Sequence, residues 1–176
     1  MKKTKKYILI FLAVPVLSLL CYLVFCYPLV LNFSNANLTL KNERYKTGEV
    51  INPFRKFDFD SGSWTAYIFI SYDDVKEISK EMRGGRSFKT SDERLLNEMK
   101  HDLKFTFTGW DMTTVESQLI LCKNGKEVFE SGIVLDDVNQ GIQNQQYGWL
   151  EAKTKTLLLK YCKQFHKNYS PIIIIR

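Results

Sequence analysis

The sequence predicts a mainly β protein: an antiparallel β-sandwich with a short helical insertion, preceded by one transmembrane helix. Three observations carry this. Four lysines lie within the first six residues, and an uncharged apolar run over 7–31 follows them. Several later segments alternate apolar and polar residues with a period of two, as half-buried strands do. Between two of these stands Asn124–Gly125, a dipeptide that favours a two-residue type I′ hairpin because both residues tolerate positive φ.

The apolar run comes first. As a helix, Tyr7–Leu31 would extend roughly 37 Å at about 1.5 Å per residue, against a bilayer core of roughly 30 Å. It is longer than the apolar region of a cleavable signal, which has about 7–15 residues. It ends on the bulky Phe25, Cys26, Tyr27 and Pro28. Cleavage near Ser34 and Ala36, or lipidation at Cys21 or Cys26, are the alternatives; Leu20 and Phe25 stand where a lipobox wants a small residue. Lys2, Lys3, Lys5 and Lys6 hold the N-terminus on the cytoplasmic side. The chain therefore divides into a cytoplasmic N-terminus (1–6), a transmembrane anchor (7–31), a tether (32–37) and a periplasmic β-sandwich domain (38–176). The expected location is the bacterial inner membrane, single-pass, with the C-terminal domain in the periplasm.

Charge removes one function class. The formal net charge is +6, but four of the 25 Lys+Arg sit before the apolar run. The exported part is left with a net of about +2, which gives no electrostatic reason to expect nucleic acid.

The exported part is then read element by element. Leu38–Tyr45 and Phe54–Asp60 are short extended pieces, with Phe57 and Phe59 alternating against charged neighbours. "SWTAYIFISY" (63–72) is the clearest strand. It places Trp64, Ala66, Ile68, Ile70 and Tyr72 on one face. "DDVKEISKEMRGG" shifts to a helical period from about Asp74 to Arg83, capped by Asp73 and ended by Gly84–Gly85. A second helix begins at Thr90, with Glu93 in capping-box spacing. "LKFTFTGW" returns to strand. In the hairpin "VESQLILCKNGKEVFESGIVL" a two-residue loop pairs Lys123 with Lys126, Leu121 with Val128 and Ile120 with Phe129. Residues 136–148 read as an exposed loop, "AKTKTLLLKYCKQF" as a strand, and "SPIIIIR" as a strand buried on both faces. An α+β sheet packed by the 74–100 helices is the alternative to the sandwich.

Cys122 and Cys162 form a possible disulfide, permitted by an oxidising compartment. Alternation puts Cys122 on a core face with Ile120 and Phe129, and Cys162 on an outer face with Lys160 and Gln164. The two thiols then point to different sides unless a one-residue bulge reverses one of them.

Catalytic and cofactor signatures are missing from the sequence. His101 and His166 are the two histidines, and neither accompanies a G-x-S-x-G turn, a P-loop, a dinucleotide fingerprint or an H-E-x-x-H helix. Asp73–Asp74 and Asp136–Asp137 could ligate a cation, and Asp137 and Asn139 before Gly141 resemble a fragment of a calcium loop. The distal glutamate is missing, so a solvated turn is the better reading. No enzyme activity, cofactor or metal is expected. The remaining candidates are binding residues at loop edges: Trp110, Asp111, Asp137, Asn139, Tyr147 and Trp149. Aromatic residues beside loops serve as interface anchors or as lids on a core.

The segments "FDFDSGSWTAYIFISY", "LILCKNGKEVFE" and "YSPIIIIR", with the helical insertion, carry a resemblance over roughly 53–176. The chain resembles an uncharacterised bacterial family of membrane-anchored periplasmic β-sandwich proteins, a domain of unknown function. Some of its members look like toxin immunity proteins. The resemblance implies a protein partner, such as a delivered toxin, and supplies no catalytic residues. The alternative is an envelope accessory or assembly protein that binds a resident protein or glycan.

Overall fold

A computed structural model describes residues 2–25, 28–33, 45–110 and 115–176, with the side chains of the first helix described over 11–23. The chain is mainly β. Helix α1 (Lys2–Phe25) is followed by β1 (Leu29–Asn32), β2 (Val50–Ile51), β3 (Trp64–Phe69), β4 (Ser87–Thr90), α2 (Glu93–Asp102) and β5 (Phe105–Gly109). Then come β6 (Gln118–Lys123), β7 (Lys126–Leu135), β8 (Gln140–Asn144), β9 (Gly148–Ala152), α3 (Leu157–Cys162), β10 (His166–Lys167) and β11 (Ile172–Ile175). Nine strands form one antiparallel sheet in the order β10-β4-β3-β6-β7-β8-β9-β5-β2, while β1 and β11 make a separate parallel pair.

The described side chains of α1 are apolar and exposed, Phe11 at 81%. Among the described residues no helix is long and apolar enough to cross a membrane. The expected helical run over 7–31 is corrected at its end: α1 stops at Phe25, and Leu29–Asn32 is a strand. Most of the expected tether and of the extended piece Leu38–Tyr45 lies outside the described residues.

One face of the large sheet carries the main core. Trp64, Ala66, Ile68, Ile70, Leu119, Leu121 and Phe129 are buried there, with Leu95, Leu96 and Met99 of α2 and Leu158 of α3 packed against them. The alternation expected of β3 holds, except that Tyr72 lies past its end and is exposed. Phe54, Phe57 and Phe59 are buried, in turns rather than in the expected extended piece. The Trp64 indole N–H fastens those turns by donating to the Asp58 and Ser61 carbonyls (2.8 and 2.9 Å).

A second, smaller cluster lies behind β3 and β6. Phe69, Ile120 and Cys122 meet Ile173 and Ile175 of β11 and Val30 of β1. The closing strand is therefore buried on one face only, with Ile172 and Ile174 outward. The Asn32 amide donates to the Glu127 carboxylate (2.6 Å), and the Arg176 N–H donates to the Gly125 carbonyl, so the ribbon is tied to the hairpin.

Local signals that competed with tertiary bonds were misread. The helix expected over 74–83 is two 3-10 turns, at Asp74–Lys76 and Lys80–Met82, and Asp73 makes no side-chain cap. Its ladder stops because the Ser79 N–H donates to the Leu135 carbonyl across the fold. The cap of α2 is Asp92, which accepts from the Leu95 N–H, while Thr90 belongs to β4. The strand expected over 152–165 contains α3 instead, where Leu158, Tyr161 and Cys162 recur at helical spacing. Gln140 of β8 accepts from the Leu159 N–H and supplies the cap. The loop expected over 136–148 contains β8, and its end enters β9.

The hairpin turns at Asn124 (φ 54°) and Gly125 (φ 76°), as expected, and Lys123 faces Lys126. Beyond that the register differs. A bulge between Leu121 and Cys122 pairs Leu121 with Phe129 and Ile120 with Glu130. That bulge sends Phe129 to the main core and Cys122 to the smaller cluster. Cys162, expected on an outer face, is buried in the main core on the other side of the sheet from Cys122, so the possible Cys122–Cys162 disulfide does not form and both are free thiols.

Burial sets an alkaline limit on this fold. It pushes the Cys122 thiol up to about 11 from 9.0, with Glu127 adding to the shift. Burial and the bond to Asp102 hold the Tyr161 hydroxyl up at about 12 from 10.0. Both groups ionise first in the unfolded chain, so their contribution is intact below about pH 9 and is lost as pH rises through about 11 and 12. Urea titrations should show stability falling between pH 9 and 11, with part of that fall absent in Cys122→Ala. A stability that stayed flat over this window would contradict the burial of both groups.

Candidate functional site

Strand register places Gly132 and Val134 of β7, Gly141 and Gln143 of β8, and Trp149 and Glu151 of β9 on one face, opposite the main core. The β1–β11 ribbon covers this same face over β3, β6 and the start of β7. Over β7–β9 a cleft of about 360 Å³ opens. Its apolar lining includes Val115, Val134, Leu135 and Trp149, and its polar lining is Asp74, Glu77, Ser117, Asp136, Asn139 and Glu151. Four carboxylates line the cleft, and among the described residues no lysine or arginine does.

Two glycines shape the floor. A Cβ on Gly132 would lie 3.0 Å from Val115 Cγ1, and one on Gly141 would lie 2.8 Å from the Trp149 ring and 2.5 Å from the Leu150 carbonyl oxygen. The indole therefore reaches over β8 because Gly141 has no side chain. Gly141→Ala should displace Trp149 and cost about 1–3 kcal/mol, the usual range for overpacking. Tryptophan emission and urea denaturation would register both effects; an unchanged spectrum would show that the ring does not rest on Gly141.

The rim is fixed by short polar bonds. The Asp74 carboxylate accepts from the Ser117 N–H (2.8 Å) and hydroxyl (2.5 Å), and Ser117 Oγ accepts from the Ser71 N–H. The Asp136 carboxylate accepts from the N–H groups of Val138 and Asn139, which closes the β7–β8 turn. Glu77 and Glu151 are exposed. The cleft thus presents two anchored and two solvent-facing carboxylates beside an aromatic plane. Such a surface suits a Lys or Arg side chain, whose methylene stem covers apolar area while its cation meets acids and an aromatic face.

The structure brings together two of the six candidates read from sequence, Asn139 and Trp149. Asp137 is exposed on the same turn without lining the cleft. Trp110 is 44% exposed and stands against Phe107 (5.5 Å, T-shaped), away from the cleft. Tyr147 is corrected: it is 4% exposed, packs in the main core beside Tyr45, and its hydroxyl accepts from Lys56 Nζ. Asp111 lies outside the described residues. Glu77, Val115, Ser117 and Glu151 were missed. Glu151 was within reach of sequence reasoning, since "GWLEA" alternates Trp149 and Glu151 against Leu150.

A second, open cleft of about 590 Å³ has the opposite charge and is lined by Arg55, Lys100, His101 and Lys104, among others. His101 is exposed and bonds Asp102 through Nδ1 (2.7 Å), and Tyr161 donates to the other Asp102 oxygen (2.5 Å). The tyrosine bond, then the histidine, hold the Asp102 carboxyl below its ordinary range. Among the described residues no three His, Cys, Asp or Glu side chains gather as metal ligands. Comparison with family models, with curated proteins and with solved structures finds no match for this chain.

Proposed function

We propose that this chain is a membrane-anchored, periplasmic protein-binding domain whose acidic cleft takes a basic side chain of its partner. The observation that carries the reading is the cleft itself, where four carboxylates and Trp149 share an apolar floor with no lysine or arginine among the described lining residues. The partner class follows from the resemblance: a delivered toxin, which the domain neutralises by covering its active or membrane-inserting surface. The anchor reading is supported by the uncharged run 7–31 and by the exposed apolar side chains of α1, which water solvates poorly and lipid solvates well. The sandwich reading is supported by the β1–β11 pair stacked behind β3 and β6.

The test uses the full chain in nanodiscs and toxins encoded beside it. Capture should weaken by at least about tenfold in Glu77→Lys/Glu151→Lys, since like charges then face the partner's cation. Deletion of the chain should sensitise cells to the same toxin. If deletion sensitises cells to none of the neighbouring toxins, the immunity reading fails; capture that survives the double reversal removes the cleft from the interface.

A further inference from the structure

The β1–β11 ribbon has an outer side on which, among the described residues, Leu29, Ile172 and Ile174 are exposed and Leu31 is half-buried. In the parallel pairing, Leu29 sits beside Ile172 and Leu31 beside Ile174. Their neighbours Val30, Ile173 and Ile175 point the other way, into the smaller cluster. Leu29 is 45% exposed, Ile172 48% and Ile174 53%, and Phe33 follows at 65%. Four aliphatic side chains in a two-by-two array, flanked by an aromatic ring, form an apolar face without a charge.

Chain connectivity says what lies against it. α1 ends at Phe25 and β1 begins at Leu29. An extended chain covers at most about 3.3–3.6 Å per residue, so Leu29 lies within about 14 Å of the helix end. The polar interface of a bilayer adds about 5–8 Å on each side of its hydrocarbon core, and surface-bound apolar faces sink about 5–10 Å into the headgroup and acyl boundary. A ribbon that starts this close to an anchoring helix, with its outer side apolar, is within reach of that boundary.

We propose that the outer side of the β1–β11 ribbon, Leu29, Leu31, Ile172 and Ile174, rests on the lipid surface and holds the domain flush against the membrane. This rests on α1 being the anchor. The contact gives the linker a second attachment point, so the domain does not swing freely on its tether. The acidic cleft lies on the same sheet face, farther along at β7–β9, and so keeps a fixed bearing relative to the bilayer.

The experiment uses the full chain carrying Cys21→Ala and Cys26→Ala, with Cys122 and Cys162 buried. Ile174→Cys carries an environment-sensitive NBD label, and Val138→Cys, 71% exposed on the β7–β8 turn, carries the control label. Both are reconstituted into phosphatidylcholine vesicles containing shallow doxyl-quencher lipids. The Ile174 label should emit at shorter wavelength and be quenched several-fold more than the Val138 label. Chains that float with the vesicles while both labels remain equally water-exposed would overturn the proposal and leave the anchor intact. Chains that fail to float would overturn the anchor and the proposal together. A shielded Ile174 label that lipid quenchers do not reach, and that becomes exposed on dilution, would assign the face to a second copy and overturn lipid contact.

Discussion

Phe129→Ala will lower the stability of the folded domain by about 3–5 kcal/mol, the usual cost of truncating a buried phenylalanine. The ring is 3% exposed and meets Phe54 at 5.7 Å and Phe57 at 5.8 Å, both edge-on. Those rings in turn touch Phe105 and Trp64, so one deletion opens a cavity at the centre of a connected aromatic cluster. Edge-on pairs contribute about 0.5–1.5 kcal/mol beyond the area they bury. Val128→Ala, one residue away and only partly buried against the core, should cost less than half as much. Urea denaturation followed by tryptophan fluorescence would measure both. Equal losses at the two positions would mean that the bulge between Leu121 and Cys122 is misplaced, because the unshifted register exchanges their faces.

Gly148→Ala should cost about 2–5 kcal/mol. Gly148 opens β9 at φ 68°, where an L side chain is strained by about 1–2 kcal/mol. An added Cβ would also fall 2.7 Å from the Gly109 carbonyl oxygen, and a backbone atom cannot rotate away. The strand must therefore shift against β5, at an overpacking cost of about 1–3 kcal/mol. Trp149 follows directly in the chain, so partner capture should fall together with stability. Restoring stability with an osmolyte separates the two effects: capture that stays low shows displacement of the cleft, and full recovery shows a loss of folded protein alone.

Much of the β architecture was legible because alternation records burial directly. Trp64, Ala66 and Ile68, then Phe105 and Phe107, announced their inward faces, and Asn124–Gly125 announced its turn. Two of the errors share one cause. Where a local preference competed with a distant hydrogen bond, the distant bond decided. Ser79 donates to Leu135 rather than continuing a helix, and Gln140 caps α3 from a strand that reads as polar loop. The run Leu157–Leu158–Leu159 fits either period, so sequence alone could not separate strand from helix there. The cleft was half visible. Asn139 and Trp149 stood out by residue type, but Asp74, Glu77 and Glu151 converge only through the sheet order, which no single segment records.

The parallel pairing of β1 with β11 also has a consequence for biogenesis. Leu29–Asn32 leaves the ribosome before its partner Ile172–Ile175, with every strand of the large sheet made in between. The seam between α1 and the body therefore stays open while the large sheet is being made, and it closes only when β11 is available to pair. Contacts this far apart in sequence form slowly, so the window for quality-control proteases is widest at the seam.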